Sequence, residues 1–309
     1  MFLRRKKLTL VLGGGGVRGL AHLGILRVLE RAGVAIDGIV GTSAGSIVGA
    51  LYAHEPNVAA VSEKIFAFLS SPTFRRLNLR FDFDGRGNGN AKGSLFNRIV
   101  FGFRRQITME RMFRHPAIFK TDPLARVTAE LMGGRKIEES KIPLYVTALD
   151  LAAGDEVVLD RGSLGAAVQA SCAVPGFFPP VQIDRRVLCD AGLINNMPIA
   201  VARRVGAETV IAVNLNRQVG SISALPTAIE VILRNEEIGT KLINDEKRKL
   251  ADVVIEPDLG VRHWLDFSNP ASVVEAGARA AEAKLDEILA VVRRKTIGLA
   301  SSLLPRPER

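Results

Sequence analysis

The feature that most constrains this sequence is a run of four glycines between a short apolar segment and an amphipathic one. Residues 8–12 (LTLVL) form an apolar run that stops at glycine, which predicts a buried β-strand. Residues 19–32 repeat leucine every three positions, which predicts a helix with one apolar side. A strand that enters a helix through a glycine loop is a building unit of α/β folds.

The same order recurs directly afterwards. Residues 36–40 predict a second strand, and residues 41–45 (GTSAG) predict a glycine-bounded turn into a helix that runs to about Ala53. Two such units in succession predict an α/β fold with a mainly parallel central sheet flanked by helices. Asn269 and Pro270 predict the start of a last helix. Further strands are predicted at residues 144–149, 157–159, 187–188, 209–213 and 253–255.

The glycine loop 13–19 (GGGGVRG) offers backbone N–H groups that no side chain obstructs, at the start of a helix. Such an arrangement binds a phosphate or a developing oxyanion. Gly14, Gly16 and Gly19 also match the GxGxxG pattern of dinucleotide-binding folds. Those folds need an acidic residue at the end of the second strand, whereas Asp37 stands at its start. A tight turn that only packs the helix on the strand would explain one or two glycines but not four.

Ser43 is the candidate nucleophile, because it is the serine of a GxSxG pattern between a predicted strand and a predicted helix. The small residues Gly41 and Gly45 allow a sharp turn that lifts the hydroxyl to the start of a helix, where the helix dipole favours an alkoxide. The alternative is a serine that only caps the helix. The glycine loop one strand away favours the nucleophile.

Two residues are candidates for the base that Ser43 needs. His263 is the one histidine of four that lies where a Ser, Asp, His order would place it, although a partly buried histidine beside Trp264 fits equally well. Asp190 ends an apolar strand, and a carboxylate at the carboxyl edge of a parallel sheet lies where such sheets place their active sites. An Asx turn or helix cap is the alternative for Asp190. The residues alone leave the two candidates comparable.

Composition narrows the class of protein. A chain that is 47% hydrophobic and 24% charged is globular, which excludes disordered, collagen-like and disulfide-scaffold proteins. The net charge of +10 suggests an anionic partner without choosing among nucleic acid, phospholipid and an acidic substrate. Cys172 and Cys189 show no metal-ligand spacing, so we expect neither a metal site nor a disulfide. The basic N-terminus lacks a cleavage site, and no apolar stretch is suited to span a bilayer.

Residues 74–120 differ from the rest of the chain, because they hold eight of the 14 phenylalanines and eleven Lys or Arg against three acidic residues. We expect one α/β domain over residues 1–297, with this segment as an insertion that acts as a lid, followed by a disordered tail, 298–309. Interleaved phenylalanine and arginine suit contact with an anionic membrane. A nucleic-acid surface uses similar residues, and a solvated basic insertion with its phenylalanines packed inward fits as well.

With these motifs in this order, the chain resembles the patatin-like phospholipase family, and in particular its compact bacterial members. Residues 14–19 (GGGVRG) match the family's oxyanion loop, residues 41–45 (GTSAG) its nucleophile elbow, and Asp190 its catalytic aspartate. Residues 170–181 (ASCAVPGFFPPV) resemble its proline-containing segment before that aspartate. The chain departs from the family at Ala191, where glycine is usual.

The resemblance implies a serine acyl hydrolase of the phospholipase A or lysophospholipase type, which cleaves fatty-acyl esters of lipids through a Ser–Asp dyad without a cofactor. The site residues that it implies are Ser43 and Asp190 as the dyad, Gly14, Gly15 and Gly16 as the oxyanion hole, and Arg18, Gly41 and Gly45 as supporting residues. We expect a cytoplasmic protein in peripheral contact with the inner membrane surface, with no nucleic-acid partner. Two alternatives stay open: a nucleotide- or lipid-binding protein without catalysis, and a Ser–Asp–His esterase that uses His263.

Overall fold

The computed structural model describes residues 2–76, 114–119, 123–216, 228–260, 264–293 and 295–298. In these ranges the α-helices are α1 Ala21–Arg31, α2 Ala44–His54, α3 Val58–Ser70, α4 Pro72–Arg76, α5 Pro123–Met132, α6 Leu164–Cys172, α7 Gly192–Asn195, α8 Ile199–Arg204, α9 Ala228–Lys247, α10 Pro270–Ala283 and α11 Leu285–Val292. The strands are β1 Phe2–Arg5, β2 Leu8–Leu12, β3 Gly38–Gly41, β4 Leu144–Asp150, β5 Asp155–Leu159, β6 Val181–Ile183, β7 Arg186–Cys189, β8 Thr209–Val213, β9 Val253–Ile255 and β10 Lys295–Gly298. Short 3-10 helices cover Gly16–Leu20, Ile137–Glu139 and Arg248–Leu250.

The central sheet has the strand order β6–β7–β4–β3–β2–β8–β9, with β5 also paired to β4. Strands β4, β3, β2, β8 and β9 pair in parallel, whereas β5, β6 and β7 pair antiparallel. The predicted α/β fold with a mainly parallel sheet is therefore confirmed. Because β2 and β3 are parallel neighbours with Leu12 opposite Gly41, the glycine loop and the GxSxG turn leave the sheet at the same edge.

Helices cover both faces of the sheet, as the alternation along β2 shows. Leu8, Leu10 and Leu12 enter a core that they share with α1, α2 and α10. Val11 points to the opposite face, where it packs with Ile199 and other residues of α8. A strand that is buried on both faces explains why residues 8–12 read as a continuous apolar run rather than an alternating one.

The strand that carries Asp190 arrives from an unexpected direction. The sequence predicted a strand before Asp190 in a mainly parallel sheet, and β7 is one of the antiparallel strands of that sheet, with Cys189 opposite Leu149 of β4. Its direction was not predicted, because period and composition do not encode the direction of pairing. Strand β4 continues for four residues beyond Val146, the partner of Gly41, and β7 runs back along that extension. The chain thus returns Asp190 toward the level of the GxSxG turn.

The ends of the chain pair with each other, since β1 and β10 form a two-stranded antiparallel sheet. The predicted disordered tail therefore needs one correction: Gly298 is the last residue of β10, and residues 299–309 lie outside the described residues. The predicted lid, 74–120, lies largely outside them as well, at 77–113 and 120. At its carboxyl end, Ile118 donates its N–H to the carbonyl of Gly176 at 3.0 Å.

Helices α1 and α10 cross at two glycines. A Cβ at Gly24 would lie 1.9 Å from the carbonyl oxygen of Val274, and one at Gly277 would lie 2.0 Å from that of Ala21. Both distances are far inside van der Waals contact, so the two backbones touch directly. This contact holds α1, and with it the glycine loop, against the core.

We predict that Gly277→Ala lowers the free energy of unfolding by about 1–3 kcal/mol or more, because the added methyl forces the helices apart. The matched control is Gly239→Ala in α9, where a Cβ meets nothing within 4 Å. That change should raise the free energy by up to about 1 kcal/mol, since alanine is the better helix former. Urea denaturation followed by circular dichroism measures both, and equal effects would contradict the crossing.

Candidate active site

Ser43 occupies the sharp turn between β3 and α2 in a strained conformation, with φ +51° and ψ −124°. A non-glycine residue adopts positive φ at a cost, and such strain is typical of a serine held in a nucleophile elbow. A Cβ at Gly45 would lie 2.0 Å from the carbonyl oxygen of Leu12, and one at Gly41 would lie 2.7 Å from the Cα of Ser46. The turn therefore accepts only glycine at its two flanks.

The Ser43 side chain lies close enough to the carboxylate of Asp190, which is 4% exposed, to lower the pKa of that carboxyl. Burial raises the pKa of Asp190 from 3.8 to about 6, although the nearby Ser43 side chain and the Gly192 N–H both oppose the rise. The Gly192 N–H donates to Oδ1 of Asp190 at 2.7 Å. Ala191, where the sequence departs from the resembling family, has φ −83°, so an alanine fits this turn without strain.

The glycine loop lies directly against the serine, since a Cβ at Gly14 would be 3.0 Å from the Cβ of Ser43. Gly16 has φ +60°, and its Cβ would lie 2.2 Å from the Trp264 carbonyl oxygen, so this position requires glycine. The Gly14 N–H donates to the Asn196 carbonyl at 3.4 Å. The N–H groups of Gly15 and Gly16 have no acceptor among the described residues.

Arg18 turns back onto the loop. Its Nε donates to the carbonyl oxygen of Gly15 at 3.1 Å, and its backbone N–H donates to the same oxygen at 3.2 Å. The guanidinium therefore supports the loop and adds positive charge beside it.

Three residues that the sequence did not single out complete the site. Ser171 accepts the backbone N–H of Ser43 at its Oγ, at 2.8 Å. Asn196 donates from Nδ2 to the carbonyl of Gly14 at 3.3 Å. His22 donates from a buried ring to the carbonyl of Gly13 at 2.8 Å. Ser171 lies in the ASCAVPGFFPPV segment, which was the available signal, whereas His22 looks like an ordinary core position of α1.

The structure argues against the dinucleotide-binding alternative, because the acidic residue that such a site needs lies far from the glycine loop. Asp37 precedes β3 at the sheet edge opposite the glycine loop. Its carboxylate accepts from Arg5 at 2.7 Å and from the N–H of Leu8 at 2.6 Å. Asp37 therefore ties the first strands together and is not placed to contact a ribose.

The remaining site predictions concern histidine, cysteine and metal ligands. His263 lies outside the described residues, next to Trp264, whose carbonyl accepts the N–H of Val17 at 2.8 Å. Cys172 and Cys189 are buried free thiols. Burial and the nearby Asp190 raise the pKa of Cys172, which keeps its thiol neutral. In the described ranges no three His, Cys, Asp or Glu residues are grouped for a metal ion, and no helix there is long and apolar enough to cross a membrane.

Several curated proteins are similar to this chain in sequence. Patatin-like phospholipase domain-containing protein 6 of Mus musculus is 34% identical over 213 residues, which are 68% of this chain and 14% of that protein. An uncharacterized NTE family protein of Mycobacterium bovis is 28% identical over 306 residues, which are 91% of this chain and 46% of that protein. The chain thus spans less than half the length of either relative.

Two solved structures are more distant in sequence. VipD from Legionella pneumophila is 14% identical with a TM-score of 0.49, over 91% of this chain and 67% of that one. ExoU of Pseudomonas aeruginosa, in complex with SpcU, is 17% identical with a TM-score of 0.42, over 95% and 54%. A family model described as patatin-like phospholipase matches residues 10–203, which include the glycine loop, the elbow and Asp190. Since that match covers more than half of the sequence, the chain belongs to the patatin-like phospholipase family.

Proposed function

We propose that this chain is a serine acyl hydrolase of the phospholipase A or lysophospholipase type, with Ser43 as nucleophile and Asp190 as base. The observation that carries the proposal is the strained turn that brings the Ser43 side chain close to the buried Asp190 carboxylate, beside a loop whose Gly15 and Gly16 N–H groups have no acceptor among the described residues. Membership of the patatin-like phospholipase family supports a lipid ester as substrate. The sharp turn at Ser43 supports a nucleophile over a helix cap, because its side chain makes no capping hydrogen bond to α2.

In the proposed mechanism Asp190 takes the proton of the Ser43 hydroxyl as the oxygen attacks the ester carbonyl. The carbonyl oxygen becomes an oxyanion, which the N–H groups of the loop 14–16 stabilise. Collapse breaks the ester C–O bond, and the alcohol leaves with the proton from Asp190. Water then attacks the acyl-enzyme, gives its proton to Asp190, and the fatty acid leaves as Ser43 recovers that proton. Gly15 and Gly16 are the better donors, since Gly14 already donates to Asn196.

We predict that Ser43→Ala and Asp190→Asn each lower fatty-acid release from mixed phospholipid vesicles by at least 1,000-fold. Ser43→Ala removes the attacking oxygen, and Asp190→Asn removes the group that accepts its proton, for which general-base losses reach about 10,000-fold. Product release is measured by mass spectrometry, and circular dichroism checks that each variant is folded.

The control for this experiment is His263→Ala. Full activity of that variant removes the Ser–Asp–His alternative, whereas a loss of several orders of magnitude supports it and contradicts a dyad. A folded wild type that binds vesicles and releases no product from phospholipids or simple esters would favour the alternative of a binding protein without catalysis.

The pKa of Asp190 predicts how activity depends on pH. The base must be ionised to accept the Ser43 proton, so kcat/KM should fall about tenfold per pH unit below about pH 6. The measurement is the pH profile of ester hydrolysis, with folding checked at each pH. A histidine base with an ordinary pKa of about 6.5 would give a similar acid limb, so His263→Ala is the control. We expect the acid limb of the profile to be the same in that variant as in the wild type. A midpoint near pH 4 would contradict a buried base.

We further propose that the protein acts in the cytoplasm in peripheral contact with anionic membranes, through the insertion 74–120. The net charge of +10 and the local excess of basic residues support this contact. In a Ser43→Ala background, co-sedimentation with anionic vesicles should weaken with rising salt and with the double change Arg104→Glu and Arg105→Glu. The control is the same charge change at the exposed Arg185 and Arg186. Vesicle binding that does not change with salt concentration would contradict the proposal. So would an equal loss of binding in the two double variants.

A further inference from the structure

Side chains hold the glycine loop in place by donating hydrogen bonds to its carbonyl oxygens. The carbonyl of Gly13 accepts from Nε2 of His22, that of Gly14 from Nδ2 of Asn196, and that of Gly15 from Arg18. In a trans peptide the C=O and the following N–H point in opposite directions, and no peptide of the described chain is cis. Fixing these three carbonyls therefore turns the N–H groups of Gly14, Gly15 and Gly16 the other way.

Of the three donors, His22 is the most enclosed. Its side chain lies in the first turn of α1 and is fully buried. Burial lowers its pKa to about 4, so the ring is neutral at physiological pH. Its Nδ1 has no partner among the described residues, while Nε2 faces a carbonyl. The single ring proton is therefore on Nε2, where it is donated to Gly13.

This contact matters because glycine peptides rotate easily. With no Cβ, the loop 13–16 has little of its own to resist rotation of a peptide plane. A rotated plane would place a carbonyl oxygen where an N–H stood, and would repel an oxyanion rather than stabilise it. The Gly13–Gly14 peptide is the first of the loop, so its orientation sets the start of the two peptides that follow.

We propose that His22 is a positioning residue: its Nε2–H holds the Gly13 carbonyl and so fixes the first peptide of the loop, from which the peptides that carry the N–H groups of Gly15 and Gly16, held by Asn196 and Arg18, continue toward the reacting oxygen. The role rests on the proposed hydrolase function. His22 acts through the loop and neither touches the substrate nor accepts the Ser43 proton.

Three substitutions at His22 test this role. Glutamine places its amide nitrogen near the position of Nε2 and keeps the donor, asparagine places it near Nδ1, and leucine has none. We expect kcat on the ester substrate to fall about 100-fold in His22→Leu and His22→Asn, as for the loss of an oxyanion donor, with KM within threefold of wild type. His22→Gln should recover at least tenfold over His22→Asn.

The outcomes separate positioning from simple stability. Melting temperature is measured for each variant, and the Gln and Asn pair keeps the test decisive if His22→Leu does not fold. A folded His22→Asn with a kcat within threefold of wild type, or no advantage of Gln over Asn, would overturn the proposal. A wild type without hydrolysis would contradict the proposed function alone. In that case the loop is monitored by the NMR amide signals of Gly15 and Gly16. These signals should shift in His22→Asn and return toward their wild-type positions in His22→Gln. Signals that do not move in His22→Asn would overturn the positioning role.

Discussion

The site depends on how closely the elbow after β3 packs against the chain that leaves β2. A methyl at Gly45 would lie 2.0 Å from the carbonyl oxygen of Leu12, so the two backbones are in direct contact here. The parallel pairing of Leu12 with Gly41 brings the two turns to the same level. As a result Gly14 reaches to within contact of Ser43. The glycines of both motifs thus serve one packing requirement, which also places the N–H groups of the loop beside the serine.

The same packing buries Asp190, and this has an energetic consequence. Its pKa is about 6 in the folded protein and near 3.8 in an unfolded chain, so the folded state binds the proton more tightly. Its contribution to stability is therefore greatest below pH 3.8 and is lost as the pH rises to about 6. Above that pH the ionised carboxylate costs the folded state about 3 kcal/mol. The N–H of Gly192, which donates to Asp190, and the nearby Ser43 side chain both lower the pKa of Asp190 and so offset part of the cost of desolvation.

The sequence predicted the strands whose signal is a buried apolar run, and the bounds of β8 and β9 agree residue for residue with 209–213 and 253–255. It also predicted the N-cap at Asn269, whose side chain accepts from Ser272. It did not predict that β7 runs antiparallel, because alternation and composition are the same for either direction. Nor did it find β1 and β10, which pair residues almost 300 positions apart. His22 was invisible for a different reason: its hydrogen bond to a loop carbonyl has no sequence pattern.

In the proposed mechanism, the choice of Asp190 as base is supported by the titratable groups that surround the elbow and the loop. His22 is unsuitable, because its pKa of about 4 makes it a weak base and its ring proton is donated to a carbonyl. The thiol of Cys172 stays neutral, since burial and Asp190 raise its pKa. Burial raises the pKa of the Asp190 carboxyl to about 6, which is close to the pKa of about 6.5 of a free imidazole. A carboxylate at that pKa can take a proton from serine and return it to a leaving group near neutral pH, which is the role that a histidine fills in a triad. In the proposed mechanism, burial of one carboxylate therefore does the work for which other serine hydrolases need two residues.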